Sequence, residues 1–205
     1  MATLRQDVWL AVEPRRRGVR LGPFGDAPAR VFVCPEPGTR LDDAPLAGLL
    51  DGLAERLEVV AYEQSDGAAS DAHAALRSIE SIEHRWGREI PLVVLGLGSG
   101  ASAALALAQN PSVRAIALVN PNLPSTPGTG EPRAGDASVG GRHDQPLLLL
   151  TSRVHTGLSS AALDALAAHW PQLDVILLPG DDGAGARAPW PAVLAEWAAW
   201  AVGTR

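Results

Sequence analysis

The chain has 205 residues, 46% of them apolar, enough to bury a core without help from disulfides or metal. With 23 acidic side chains against 17 basic ones its net charge is −6, which excludes wholesale binding to a phosphate backbone and makes a nucleic-acid partner an unsuitable expectation. Every basic residue is arginine, so no lysine is available for a Schiff base or a P-loop, and Cys34 stands alone, with no Cys/His cluster at zinc-ligand spacing.

The expectation is a single cytoplasmic domain, 1–205, with no cofactor, metal or membrane segment. The opening MATLRQDVWLAVEPRRRGVR lacks the apolar run and cleavage site of a signal peptide. The longest apolar runs are broken by Gly, Pro or charge well short of the roughly 18 residues that span a bilayer.

In chain order, Val8 to Val12 and Gly18 to Leu21 read as short strands around a basic turn, Pro14 to Arg17, whose arginines are expected to be a solvated hairpin tip. Arg30 to Cys34 is a third, apolar strand. Asp42, Asp43 and Pro45 open a helix on which Leu46, Leu49, Leu50, Leu53 and Leu57 recur at helical spacing. Leu57 to Tyr62 suits a buried strand, and Ser70 caps a helix carrying Leu76, Ile79, Ile82 and Trp86 on one face.

Strand and helix then alternate: strand Pro91 to Leu95, helix Ser99 to Gln109, strand Val113 to Val119, strand Pro146 to Thr151, helix Leu158 to Trp170, strand Leu173 to Leu178 and helix Trp190 to Val202. Such alternation implies an α/β architecture, a mostly parallel sheet with helices on both faces in a three-layer α/β/α sandwich. Between Asn120 and Gln145 the composition turns to Pro, Gly and Ser, so a flexible loop is expected there.

The stretch PLVVLGLGSGASAALALAQNPSVRAIALVNP, Pro91 to Pro121, resembles the nucleophile-elbow segment of the α/β-hydrolase family, in which a strand ends in G-x-S-x-G before an apolar helix of small residues. Gly96 and Gly100 match the flanking glycines. The resemblance then puts Gly98 where the family carries its serine and Ser99 one position beyond. PLLLLTS, Pro146 to Ser152, is similar to the strand before the family's acid, and by that likeness His155 takes the acid's position. DVILLPGDDG is similar to the strand and loop that deliver the family's histidine, with Gly183 at that position. VFVCPEPG, Val31 to Gly38, sits where the family places its oxyanion loop, yet Pro35 has no N–H and Glu36 would oppose a developing oxyanion. The likeness therefore implies a fold without its Ser-His-Asp triad, and, with only the Gly/Pro-rich loop between Asn120 and Gln145, without the helical cap most members carry.

Three readings of function follow. The first is a pseudoenzyme that binds a small molecule or protein partner, since fold does not imply function and a triad lacking nucleophile and base keeps little catalysis. The second is a cofactor-free lyase, isomerase or cyclase in which Asp182, or Asp181, orients His155 as a general acid/base, with Gly98 leaving room for substrate; the plainer view of these residues is a capping histidine and a solvated turn. The third is an atypical esterase in which Ser99 or Ser102 acts with His155, although Ser99 is better suited to N-capping the helix that follows.

Cys34, ending an apolar strand, reads as a small core residue rather than a nucleophile. Six tryptophans accompany only two phenylalanines and one tyrosine, and Trp190, Trp197 and Trp200 fall in the last helix. Packing on the sheet is the simpler reading of that helix, and homo-oligomerisation through it the sharper one.

Overall fold

A computed structural model of the chain describes residues 4–10, 16–23, 27–64, 72–78, 90–123, 143–152, 158–178 and 190–203. They form one eight-stranded sheet in the order β1-β2-β4-β3-β5-β6-β7-β8. Its strands are β1 (Leu4–Leu10), β2 (Arg16–Gly22), β3 (Arg30–Cys34), β4 (Glu58–Tyr62), β5 (Leu92–Leu97), β6 (Val113–Val119), β7 (Leu147–Ser152) and β8 (Leu173–Leu178). β2 pairs antiparallel with both neighbours, and every pairing from β4 to β8 is parallel.

The central strands are apolar at nearly every position because helices cover both faces. In β3, Val31 and Val33 point into one core while Phe32 and Cys34 point into the other, as the two-residue period of a strand requires. The first core is closed by α1 (Ala44–Ala54) and α5 (Trp190–Gly203), through Leu46, Leu50, Trp190 and Leu194. The second is closed by α2 (residues 72–78), α3 (Ala101–Ala106) and α4 (Ser160–His169), through Leu76, Ala104 and Leu166. The expected α/β/α sandwich with a mostly parallel sheet is therefore the observed architecture.

Helix starts follow local chemistry. Pro45 stands in the first turn of α1, where its missing N–H is no loss, and the Ser159 hydroxyl caps α4 by accepting from the Ala162 N–H at 3.1 Å. In α5, Trp190 is buried and Trp197 packs against the first core, as the simpler reading of that helix has it, whereas Trp200 is 53% exposed. The expected cap at Ser70 and the loop residues 124–142 lie outside the described residues.

Two expectations need correction. The arginine run is not only a hairpin tip: Arg16 and Arg17 belong to β2, and the Arg17 guanidinium donates to Asp42 at 2.7 Å, tying the hairpin to the approach to α1. Strand length decided this, because pairing with β1 extends from Leu10↔Arg16 to Leu4↔Gly22. The helix foreseen from Ser99 is a 3₁₀ turn, Gly98–Gly100, leading into α3 and then a second 3₁₀ turn, Leu107–Gln109, so the helical run begins one residue earlier.

At the end of the sheet where β3 and β4 begin, Glu58 is completely buried beside Arg30, its register partner. Arg30 Nε donates to Glu58 Oε1 at 2.6 Å, and Arg20 from β2 donates through Nε and Nη2 to the two carboxylate oxygens at 2.9 and 3.0 Å. This bidentate pairing satisfies a carboxylate that burial alone would make very costly.

Candidate functional site

The parallel strands all end on one side of the sheet, the side where ligands of open α/β sheets bind. There β5 gives way abruptly to helix: Leu97 is still extended, and Gly98 has φ +51°. Glycine takes this left-handed conformation without the Cβ strain that other residues meet. The space above Gly98 is occupied, because a Cβ built on it would overlap Oε1 of Glu36 and stand 2.5 Å from Glu36 Cδ. The end of an exposed carboxylate thus fills the volume into which any side chain at this turn would project.

Glu36 reaches that position because of how the segment after β3 is built. Thr39 N–H donates to the Glu36 carbonyl at 3.1 Å, closing a four-residue turn with Pro37 second and Gly38, at φ +81°, third. Proline then glycine at those places is the sequence signature of a type II turn. Gly38 N–H donates to the Gln64 carbonyl at 3.1 Å, anchoring the turn to the segment after β4. On its other flank the loop rests on Gly100, against which the carbonyl oxygens of Cys34 and Pro35 pack so closely that a Cβ at 100 would collide with the first and stand 2.5 Å from the second. Gly96 is packed as tightly onto α3, with Ala104 Cβ 2.8 Å from where its own Cβ would be.

The end of β6 is fixed to the same turn. Asn122 N–H donates to the Gly98 carbonyl at 2.9 Å. Asn120, the non-glycine residue with positive φ (42°) among the described residues, donates its N–H to the Leu150 carbonyl at 2.8 Å, and its Oδ1 accepts from the Ser152 N–H at 2.9 Å. Asparagine is among the few residues that tolerate this backbone region, and here its amide oxygen locks β7 to β6 beyond their last strand pairing. Neither Asn120 nor the placement of Glu36 over Gly98 was foreseen; an Asn directly after an apolar strand was the available signal for the first.

Ser99 is half-buried in the first turn of the helical run, and its hydroxyl makes no hydrogen bond with a described residue. The expected N-cap role is therefore incorrect: Leu97 precedes the 3₁₀ turn and Gly100 precedes α3, and neither start has a side-chain cap. Because the helix begins at Gly98, Ser99 lies inside the turn rather than at its head. His155, Asp181, Asp182 and Gly183 lie outside the described residues.

Cys34 ends β3 fully buried against Tyr62, which stacks on Phe32 with ring centroids 5.4 Å apart. Burial pushes its thiol up to about 12, against the opposing effect of the Tyr62 hydroxyl. A thiol held neutral and out of water is a poor nucleophile, as the sequence implied. Accordingly, a thiol reagent such as DTNB at pH 8 is expected to leave native protein unmodified and to titrate one thiol after unfolding in urea. Because the unfolded thiol ionises near 9 and the folded one near 12, stability due to Cys34 falls as pH rises through that interval, compared with Cys34→Ala.

The strand order, the lone antiparallel β2 and the sharp left-handed turn between β5 and its helix define an α/β-hydrolase fold. No protein-family model matches the chain, and no curated protein matches it in sequence. Solved structures do. The esterase domain of a Rhodothermus marinus protein superposes with a TM-score of 0.72 at 18% identity, over 98% of this chain and 100% of that one. A cold-adapted esterase from an Arctic intertidal metagenomic library gives 0.73 at 14%, over 98% and 94%. A dienelactone hydrolase from Anabaena variabilis gives 0.71 at 14%, over 98% and 97%. At such identities the likeness establishes the fold. Among the described residues no group of His, Cys, Asp and Glu could hold a metal ion, and no helix is long and apolar enough to cross a membrane.

Proposed function

We propose that this chain is a non-hydrolytic member of the fold, a pseudoenzyme that binds a small molecule or protein partner where the strands end. One observation carries the reading: the turn that presents a nucleophile in a serine hydrolase holds Gly98 here, and the Glu36 carboxylate fills the space a nucleophilic side chain would need. Without an attacking oxygen at this point, acyl transfer loses the step on which the rest of a triad depends.

Ser99 is a poor substitute, being one residue into the helical turn and without a described hydrogen-bond partner to activate it. A lyase, isomerase or cyclase built on His155 and Asp182 has its support in the sequence alone. The test is direct. Purified protein incubated with a fluorophosphonate probe is expected to show no covalent adduct by intact mass, and p-nitrophenyl acetate to hydrolyse at the buffer rate. An adduct mapped to Ser99 would refute the proposal.

A further inference from the structure

Glu36 is an exposed carboxylate placed at the functional turn, and among the described residues it makes no ion pair and no side-chain hydrogen bond. Its loop is held on three sides: by the Pro37–Gly38 turn, by Gly38 N–H on the Gln64 carbonyl, and by the backbone of Cys34 and Pro35 against Gly100. The carboxylate is thus delivered to one place by a braced backbone, while its own charge is left without a counter-ion in the described structure. A serine hydrolase needs N–H donors here, to receive an oxyanion. In this chain the preceding residue is Pro35, which has no N–H, and the charge at the turn is negative. The electrostatic preference of the site is reversed.

From this juxtaposition we infer that Glu36 is the ligand-recognition group of the turn, and that the ligand presents a protonated nitrogen, an ammonium or guanidinium, to its carboxylate above Gly98. The inference rests on the non-hydrolytic reading and names the ligand class for it. A carboxylate accepting from a cationic N–H forms a shorter and stronger bond than neutral pairs do, and Gly98, having no side chain, leaves that carboxylate its place above the turn. Exposure keeps the group reachable, and the braced loop spares the ligand the cost of ordering it.

The experiment uses three probes of similar size: benzylammonium, benzyl alcohol and benzoate. Each is titrated into ¹⁵N-labelled protein while the amides of Gly98, Ser99 and Gly100 are followed. Benzylammonium is expected to shift these amides saturably, and benzyl alcohol and benzoate to bind at least about tenfold more weakly. Glu36→Gln, which keeps size and hydrogen bonding but removes the charge, is expected to weaken benzylammonium about tenfold, with Glu36→Asp between the two. Equal binding to wild type and Glu36→Gln, a preference for benzoate, or no response to benzylammonium would each overturn the assignment. A fluorophosphonate adduct on Ser99 would remove the non-hydrolytic reading itself; with no adduct and a silent benzylammonium titration, the cation assignment alone fails.

Discussion

Glu58→Ala is expected to lower the free energy of unfolding by about 3–5 kcal/mol, as removal of one partner from a buried ion pair does. Glu58 has no solvent exposure and Arg30 only 3%, so the variant would leave the Arg30 guanidinium in the protein interior without the carboxylate that accepts from it at 2.6 Å. Arg20, with 30% of its side chain exposed, can turn to water and adds less to the loss. Urea unfolding followed by tryptophan fluorescence measures the effect. A loss below about 1 kcal/mol would mean that the cluster is hydrated in solution. The converse replacement sharpens the test: Glu58→Leu combined with Arg30→Met removes both charges and is expected to recover most of the loss, because apolar pairs of similar volume often equal a buried ion pair.

Gly100→Ala is the second large effect expected, at about 1–3 kcal/mol or more, because its Cβ would meet main-chain atoms rather than a side-chain tip. The Pro35 carbonyl oxygen and carbon would be 2.5 and 2.9 Å away and the Cys34 oxygen nearer still, so the loop after β3 must move as a unit. Gly98→Ala offers the comparison. The atoms nearest its new methyl belong to the flexible side chain of Glu36, which can swing aside, so the main cost is that of a left-handed non-glycine residue, about 1–2 kcal/mol. Gly100→Ala should therefore be the more destabilising of the two in denaturant unfolding. It should also shift the Glu36 and Gly38 amides in ¹H–¹⁵N spectra, which Gly98→Ala should leave nearer their positions at Gly38. Equal losses would show that the loop is not braced on Gly100.

Much of the architecture was legible along the chain because it depends on near neighbours. The runs Val31 to Cys34 and Ala115 to Val119 are apolar at successive positions, and such short runs have few ways to be buried other than in a sheet covered on both faces. The Gly96 to Gly100 spacing marked the turn by its resemblance to a nucleophile elbow, and Gly96 does permit the close approach of α3. Leu57, by contrast, joined the leucine stripe on paper but lies beyond α1, which stops at Ala54. Its side chain is buried in the same core, so the helical spacing identified the burial and not the helix end.

What composition and spacing determined was a mostly parallel α/β chain; that Gly98 falls where α/β-hydrolases carry their serine is what the resemblance of one segment implies. The tertiary structure alone decided what stands over Gly98. Glu36 and Gly98 are far apart in sequence and meet because β3 lies beside β5, with Cys34 paired to Gly96, and because the Pro37–Gly38 turn bends the chain back over that junction. Strand order decided the buried Arg20–Glu58–Arg30 cluster in the same way, bringing together three charges from three strands. Contacts between distant residues are set by which strands become neighbours, and no periodicity within a strand encodes that choice.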